Sequence, residues 1–181
     1  MMEFETKRLV FYDASGKDMQ VSQRRKKIVA SNDQWSAIAE KYSTQESQLR
    51  LLEIVKMGAD SLEKKILLGH LKSKQSGYKS QDTAKGWYDE SRFVRIEDIV
   101  ALLSESKLSC FYCGCWTALF YEYVRDAKQW SLERLSNDQG HNRDNVVLAC
   151  LECNMRRRTM YYERYVATKQ LRVNKIEADE I

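Results

Sequence analysis

Two pairs of cysteines in the second half of the chain have the spacing of a metal site. Cys110 and Cys113 are separated by two residues, and so are Cys150 and Cys153. This spacing lets both thiolates of a pair bind one ion, and four thiolates together form a closed tetrahedral zinc site. Zinc held in this way is structural, because no coordination position is left for water. The pattern therefore predicts a structural Zn²⁺ site with these four ligands.

Other interpretations of the cysteines remain open. Four unrelated buried cysteines, or a redox-active pair, could also produce the pattern. The fifth cysteine, Cys115, is interpreted as a partly buried free thiol, with a spare metal ligand as the alternative. Because the first residues contain no apolar core of signal-peptide length, we expect reduced thiols and an intracellular protein. The expected location is the cytoplasm or nucleus, or a virus particle assembled there, and not the secreted fraction.

The segment between the cysteine pairs carries side chains that suit phosphodiester chemistry. Residues 130–137 read W-S-L-E-R-L-S-N and residues 140–147 read G-H-N-R-D-N-V-V. Asn154 follows the last cysteine directly, and three arginines occupy positions 156–158. Carboxylate and amide oxygens suit magnesium or manganese, and arginines suit backbone phosphates. This combination points to nucleic acid as the partner, most of all DNA.

These residues resemble the zinc-knuckle, or treble-clef, branch of the HNH endonucleases, the His-Me finger or ββα-metal family, as found in large DNA viruses and phages. The resemblance is strong over residues 108–158, looser back to Tyr78, and absent from residues 1–75. It implies that Glu133 and Asn154 hold a catalytic Mg²⁺ or Mn²⁺ and that Asn145 orients the loop between the strands. It also places Arg134 where the family carries its general-base histidine.

The chain departs from the family pattern in ways that affect catalysis. Glu133 and Ser136 stand where relatives carry aspartate, and Arg134 cannot serve as a base because its guanidinium stays protonated. His141 could supply the base if the loop folds back over the metal; the alternative is that it caps or packs the loop. The predicted catalytic residues are Glu133, Arg134, His141, Asn145 and Asn154, and the predicted nucleic-acid contacts are Arg156, Arg157 and Arg158.

The elements that must position these residues predict an α+β fold. The expected organisation is a β-hairpin and basic segment at 1–30, a helical region at 31–106, a treble-clef zinc domain with a ββα-metal hairpin at 107–175, and an acidic tail at 176–181. The polar residues 73–95 are expected to form a loop and a short helix. Residues 146–149 are expected to form a strand, and one helix is expected from about Asn154 to about Tyr165.

Composition narrows the class of protein without fixing its function. The chain has 181 residues, of which 43% are hydrophobic and 31% charged, with a net charge of +4. These values allow a packed core under a charged surface, and local basic runs such as residues 24–27 and 156–158 suit a polyanion or a solvated helix face equally. No apolar stretch approaches the ~18 residues of a membrane span, so no membrane partner is expected.

Three functions remain in competition on the sequence. The first is a metal-dependent HNH-type endonuclease that hydrolyses DNA. The second is a catalytically inactive, HNH-derived zinc module that binds nucleic acid or serves as a subunit of a larger assembly, such as a viral one. The third is a zinc adaptor that binds only protein. Protein partners are expected to use the N-terminal region.

Overall fold

The computed structural model describes residues 33–58, 60–121 and 125–171. The predicted α+β class is confirmed there, since several helices accompany one small antiparallel sheet. The predicted hairpin and basic segment at 1–30 and the acidic tail at 176–181 lie outside the described residues. The elements, in chain order, are α1 (Asp33–Lys41), α2 (Gln45–Lys56), α3 (Leu62–Ala84), α4 (Ile96–Glu105), β1 (Trp130–Arg134), β2 (Val146–Cys150), α5 (Leu151–Arg157) and α6 (Tyr162–Gln170).

Local signals set the boundaries of α2. Thr44 caps its start, because the Thr44 side chain accepts a hydrogen bond from the Ser47 backbone N–H while the Ser47 side chain bonds back to Thr44. Such a reciprocal box satisfies backbone donors that have no partner within the helix. Gly58 follows the last turn with φ +80°, a left-handed conformation that glycine adopts at low cost.

Helix α3 is longer than its sequence predicts. The polar stretch from residue 73 onward, expected to begin as a loop, continues the helix to Ala84. Contacts with β1 explain the difference: the Lys74 ammonium donates to the Trp130 carbonyl, and the Tyr78 hydroxyl accepts from the Leu132 N–H. One side of α3 is therefore buried despite its polar composition, and Asp82 is 1% exposed.

Strands β1 and β2 form an antiparallel pair in which Glu133 lies opposite Val147. Helix α5 follows β2 without a linker, and Cys150 is both the last strand residue and the N-cap of that helix. The single helix expected up to Tyr165 is divided into α5 and α6. The division occurs because Arg158 takes a left-handed backbone conformation, with φ +53°, that ends α5.

One hydrophobic core joins the helices to the hairpin. Its buried members include Leu51 of α2, Leu103 of α4 and Trp130 of β1. This core crosses the boundary expected between residues 106 and 107. A smaller cluster contains Cys110, Cys150, Cys153 and the rings of Tyr112 and Tyr165. Across the described ranges, none of the helices combines the length and the apolar character that crossing a bilayer requires.

Candidate metal centre and candidate active site

The four cysteines predicted as ligands converge in space. The Sγ atoms of Cys110, Cys113, Cys150 and Cys153 all lie within 4.8 Å of one another. Zinc–sulfur bonds of about 2.3 Å in a tetrahedron place the sulfur atoms about 3.8 Å apart. The Cys113–Cys150 Sγ distance of 3.9 Å agrees with that value. The four thiols are therefore placed so that they could hold a metal ion such as zinc.

Two tight backbone arrangements bring the cysteine pairs together. In the first pair, the Cys110 N–H donates to the Cys115 carbonyl at 2.9 Å, and the Gly114 N–H donates back to the Cys110 carbonyl at 2.9 Å. Gly114 has φ +67°, a conformation that favours glycine. In the second pair, Cys153 lies in the first turn of α5, and its N–H donates to the Cys150 Sγ at 3.4 Å.

Cys115 lies beside this group of four. Its Sγ is 3.2 Å from the Cys113 Sγ, and burial raises the pKa of the Cys115 thiol to about 11. In contrast, a hydrogen bond with the Cys150 thiol lowers the pKa of Cys110 to about 4. The hydrogen bond with Cys150 thus favours the thiolate form of Cys110, which is the form that binds a metal ion.

A cavity of about 340 Å³ lies where the hairpin meets α3 and α5. Four of the five predicted catalytic residues line it: Glu133, Arg134, His141 and Asn154. Arg158 also lines the cavity. The structure therefore brings these five side chains to one cavity, although they are up to 25 positions apart in the sequence.

Asn145, the fifth predicted residue, holds the loop between β1 and β2 from within. Its Oδ1 accepts from the Ser136 N–H at 2.8 Å, and its Nδ2 donates to the carbonyls of Ser136 and Gly140, each at 3.0 Å. A buried amide that joins both ends of a loop fixes the loop conformation. Asn145 thereby positions the neighbouring His141.

Glu133 is buried and forms an ion pair with Arg157 of α5. The Arg157 guanidinium also donates to the carbonyls of Arg134 and Leu135, each at 2.7 Å. Its side chain is 0% exposed. The structure thereby corrects the prediction that Arg157 binds backbone phosphates, because an enclosed guanidinium cannot reach them. Burial raises the pKa of Glu133 to about 6, although the Arg157 guanidinium opposes the shift.

Asn154 turns its amide nitrogen toward β1. Its Nδ2 donates to the Ser131 Oγ at 3.2 Å and to the Leu132 carbonyl at 3.1 Å. Asn154 also lines the cavity, and neither of these two hydrogen bonds uses its amide oxygen. Amide and carboxylate oxygens together form the donor set that Mg²⁺ and Mn²⁺ prefer.

Arg134 supports the loop in addition to lining the cavity. One of its guanidinium nitrogens donates to the carbonyls of Asn137 at 3.0 Å and Gln139 at 2.9 Å. The guanidinium lies 4.8 Å from the centre of the Trp87 ring. Burial lowers the pKa of Arg134, but a guanidinium remains protonated in proteins and cannot accept a proton.

His141 is held by two residues of α3 that the sequence did not single out. Its Nδ1 is 2.8 Å from the Asp82 Oδ1, and its ring stacks on Tyr78 with the ring centres 4.5 Å apart. Burial lowers the pKa of His141, and the Asp82 hydrogen bond opposes that shift. The spacing of four residues between Tyr78 and Asp82 was an available signal, but the polar composition around them predicted a loop.

The two remaining arginines differ in position. Arg156 is exposed and forms a surface ion pair with Glu152 at 2.9 Å. Arg158, at the end of α5, lines the cavity. Of the three predicted phosphate contacts, Arg158 is thus the one beside the candidate active site.

Comparisons with protein-family models, characterised proteins and solved structures find no match for this chain. Function must therefore be argued from the chemistry and geometry of the site itself.

Proposed function

We propose that this protein is a metal-dependent endonuclease of the HNH type that hydrolyses DNA phosphodiester bonds. One observation carries the proposal: Glu133, His141, Asn154 and Arg158 line a single cavity beside the hairpin and α5. These side chains offer metal-binding oxygens, an imidazole and a phosphate-binding cation within one site.

The order of the elements supports the same proposal. A hairpin with a long loop leads directly into a helix. Two of the four thiols, Cys150 and Cys153, lie at the start of that helix, and the other two, Cys110 and Cys113, lie in the turn before the hairpin. We interpret this arrangement as a treble clef that carries a ββα-metal hairpin. In this interpretation zinc fixes the start of α5, and the helix then presents Asn154 to the cavity.

The catalytic cation would be held by Glu133 and Asn154. A magnesium or manganese ion bound there would stabilise charge on the scissile phosphate and the leaving oxygen. Arg158 and Arg134 would attract the phosphodiester backbone, since contacts of this kind give affinity that does not depend on sequence. DNA binding should therefore weaken as the salt concentration rises.

One observation favours a second function, an HNH-derived zinc module that binds nucleic acid without cleaving it. The Arg157 guanidinium already neutralises Glu133 from within the protein. A carboxylate paired in this way has less to gain from a divalent cation. Mn²⁺ binding to the zinc-loaded protein, followed by electron paramagnetic resonance, separates the two functions: the endonuclease binds Mn²⁺ and loses it on Glu133→Gln, and the module binds none.

Nicking of supercoiled plasmid DNA with Mg²⁺ or Mn²⁺ tests the proposal directly. Because a catalytic metal contributes several kcal/mol of transition-state stabilisation, Glu133→Gln and Asn154→Ala should each reduce nicking by about 100-fold or more. Glu152→Gln is the matched control, because this carboxylate lies on α5 but pairs with Arg156. It should nick like the wild-type protein.

The same assay contains the results that contradict the proposal. Nicking that survives both cavity substitutions would show that another site, or a contaminant, cleaves the DNA. A folded wild-type protein that binds DNA in a salt-dependent manner, binds no Mn²⁺ and never nicks would establish the second function. In that case Arg158→Ala should still weaken DNA binding more than Arg156→Ala does.

A further inference from the structure

A carboxylate buried in α3 is directed at the imidazole of the candidate active site. Asp82 accepts a hydrogen bond from the His141 backbone N–H at 2.6 Å through Oδ2, and its Oδ1 is 2.8 Å from the His141 Nδ1. The two side chains are 1% and 7% exposed. Both carboxylate oxygens of Asp82 are thus used on a single partner 59 positions away.

The surrounding residues leave this pair little freedom. Asp82 approaches the loop at Gly140, where a Cβ atom would lie 2.8 Å from the Asp82 Oδ2 and 2.6 Å from the Trp87 carbonyl oxygen. On the other side, Tyr78 stacks on the imidazole at 30° between ring planes, while its hydroxyl is bonded to the Leu132 N–H of β1. The imidazole is therefore fixed by α3, β1 and the loop together.

The hydrogen bond also selects the tautomer of the ring. Where the Asp82 Oδ1 is the acceptor of this hydrogen bond, Nδ1 carries the proton that it donates. The other ring nitrogen, Nε2, then presents a free lone pair. His141 lines the cavity with Glu133 and Asn154, and Nε2 lies at the ring edge opposite the one that Asp82 holds. A carboxylate that holds one ring nitrogen of a histidine in this way recurs behind general bases.

We infer that Asp82 is a positioning residue that holds His141 as the general base of the cavity, with Nε2 toward the attacking water. The inference rests on the proposed function and supplies the base that Arg134, in the family's histidine position, cannot provide. Arg134 remains next to the site as a cation that supports the loop and lines the cavity.

The proposed hydrolysis needs only water and the phosphodiester as reactants. The water oxygen forms a bond to phosphorus, and one of its protons moves to the His141 Nε2. The phosphorus–oxygen bond to the leaving sugar breaks, and that oxygen takes a proton from solvent. The hydrogen bond to Asp82 stabilises the positive ring, and the imidazolium then returns its proton to solvent.

Nitrogen-15 spectra of the zinc-loaded, histidine-labelled full chain test the arrangement without measuring activity. The chain has two histidines, His70 and His141, and the variant His70→Phe assigns the signals. The wild-type His141 should show a protonated Nδ1 and an unprotonated Nε2. A His141 that shows the Nε2–H tautomer, or a charged ring, in the folded wild-type protein at neutral pH overturns the inference.

The variant Asp82→Asn tests how Asp82 acts. An asparagine amide has one oxygen and one NH₂ group, so one of its two positions places an N–H against a partner. If the oxygen keeps the His141 backbone N–H, the NH₂ group donates to Nδ1, and the ring proton moves to Nε2. We expect this tautomer change, together with a loss of nicking of about 100- to 10,000-fold, similar to that of His141→Ala. The double variant should lose no more than His141→Ala alone, since Asp82 acts through His141. Asp138→Asn, an exposed loop carboxylate, is the matched control and should change neither property.

The results separate this inference from the proposed function. Metal-dependent nicking that needs Glu133 and Asn154 but not Asp82 or His141 would overturn the inference and leave the endonuclease intact. Additive losses in the double variant would also overturn it. If the wild-type protein never nicks DNA, the base assignment fails with the proposed function, while the spectra still decide whether Asp82 fixes the tautomer. If Asp82→Asn does not fold, the wild-type spectrum and His141→Ala carry the test.

Discussion

At the scale of single residues, neighbouring side chains on α5 have opposite environments. Arg157 is enclosed with Glu133 beneath the loop, whereas Arg156 extends into solvent and pairs with Glu152. Both are ion pairs, but only Arg157 takes the place of water around a buried carboxylate and around backbone carbonyls. Removal of one partner from a buried pair leaves an uncompensated charge, which costs far more than the loss of a surface contact.

The substitution Arg157→Met should therefore lower the free energy of unfolding by about 3–5 kcal/mol. The matched change Arg156→Met should lower it by about 0–1 kcal/mol, because its partner stays hydrated. Urea unfolding of the zinc-loaded proteins measures both values. Equal effects of the two substitutions would show that Arg157 is hydrated in solution, and its role as a phosphate contact would then be restored.

At the scale of elements, α3 matters because it reaches the loop between β1 and β2. Tyr78 and Asp82 lie four residues apart and so project from the same side of the helix. That side receives His141 from the loop, and Gly140 provides the space for the approach. The loop and the last turns of α3 therefore form one unit, although they are far apart in the sequence.

The substitution Gly140→Ala should disturb that unit. The added methyl would lie 2.6 Å from the Trp87 carbonyl oxygen, and neither backbone segment can move freely. We expect a loss of about 1–3 kcal/mol in the free energy of unfolding, typical of overpacking. Gly77→Ala is the matched control, because nothing lies within 4 Å of a Cβ there, and in mid-helix it should stabilise by about 1 kcal/mol. Thermal unfolding compares the two variants. An unchanged free energy of unfolding in Gly140→Ala would mean that Trp87 and Asp82 do not pack closely against the loop at Gly140.

At the scale of the whole molecule, a large hydrophobic core and a small thiol cluster share the hairpin. The large core is made by α1–α4 together with β1 and β2, whereas the start of α5 depends on Cys150 and Cys153. A structural zinc ion can contribute as much free energy as the whole margin of stability of a domain. Metal removal should therefore affect the two ends of the structure differently.

Treatment with a chelator should raise hydrogen exchange first in residues 110–115 and 150–170 and least in α2–α4. Mass spectrometry of the exchanged peptides measures this order. Cys153→Ser should reduce the zinc content, because its thiol is buried in the group of four, whereas Cys115→Ser should retain one zinc ion per chain. Uniform exchange after chelation, or full zinc content in Cys153→Ser, would contradict a structural role for the site.

The sequence alone determined the features whose geometry is local. A two-residue spacing brings both cysteines of a pair within reach of one ion. The group of four thiols therefore followed from the spacing once the fold placed the two pairs side by side. The strand before Cys150 was likewise predicted from neighbouring residues. Glu133, His141 and Asn154 could be chosen as candidates because their types and order resemble a known motif.

Only the tertiary structure decided which partners those candidates have. Asp82 meets His141 across 59 positions, and Arg157 meets Glu133 across 24. Such contacts depend on how helices and strands pack, and a polar run such as residues 73–84 has the same composition whether it is a solvated loop or a helix with one buried side. Burial then decides the partners: Arg157 lies in the interior against Glu133 and Asp82 lies against His141, because a polar group removed from water must find its partner inside the protein.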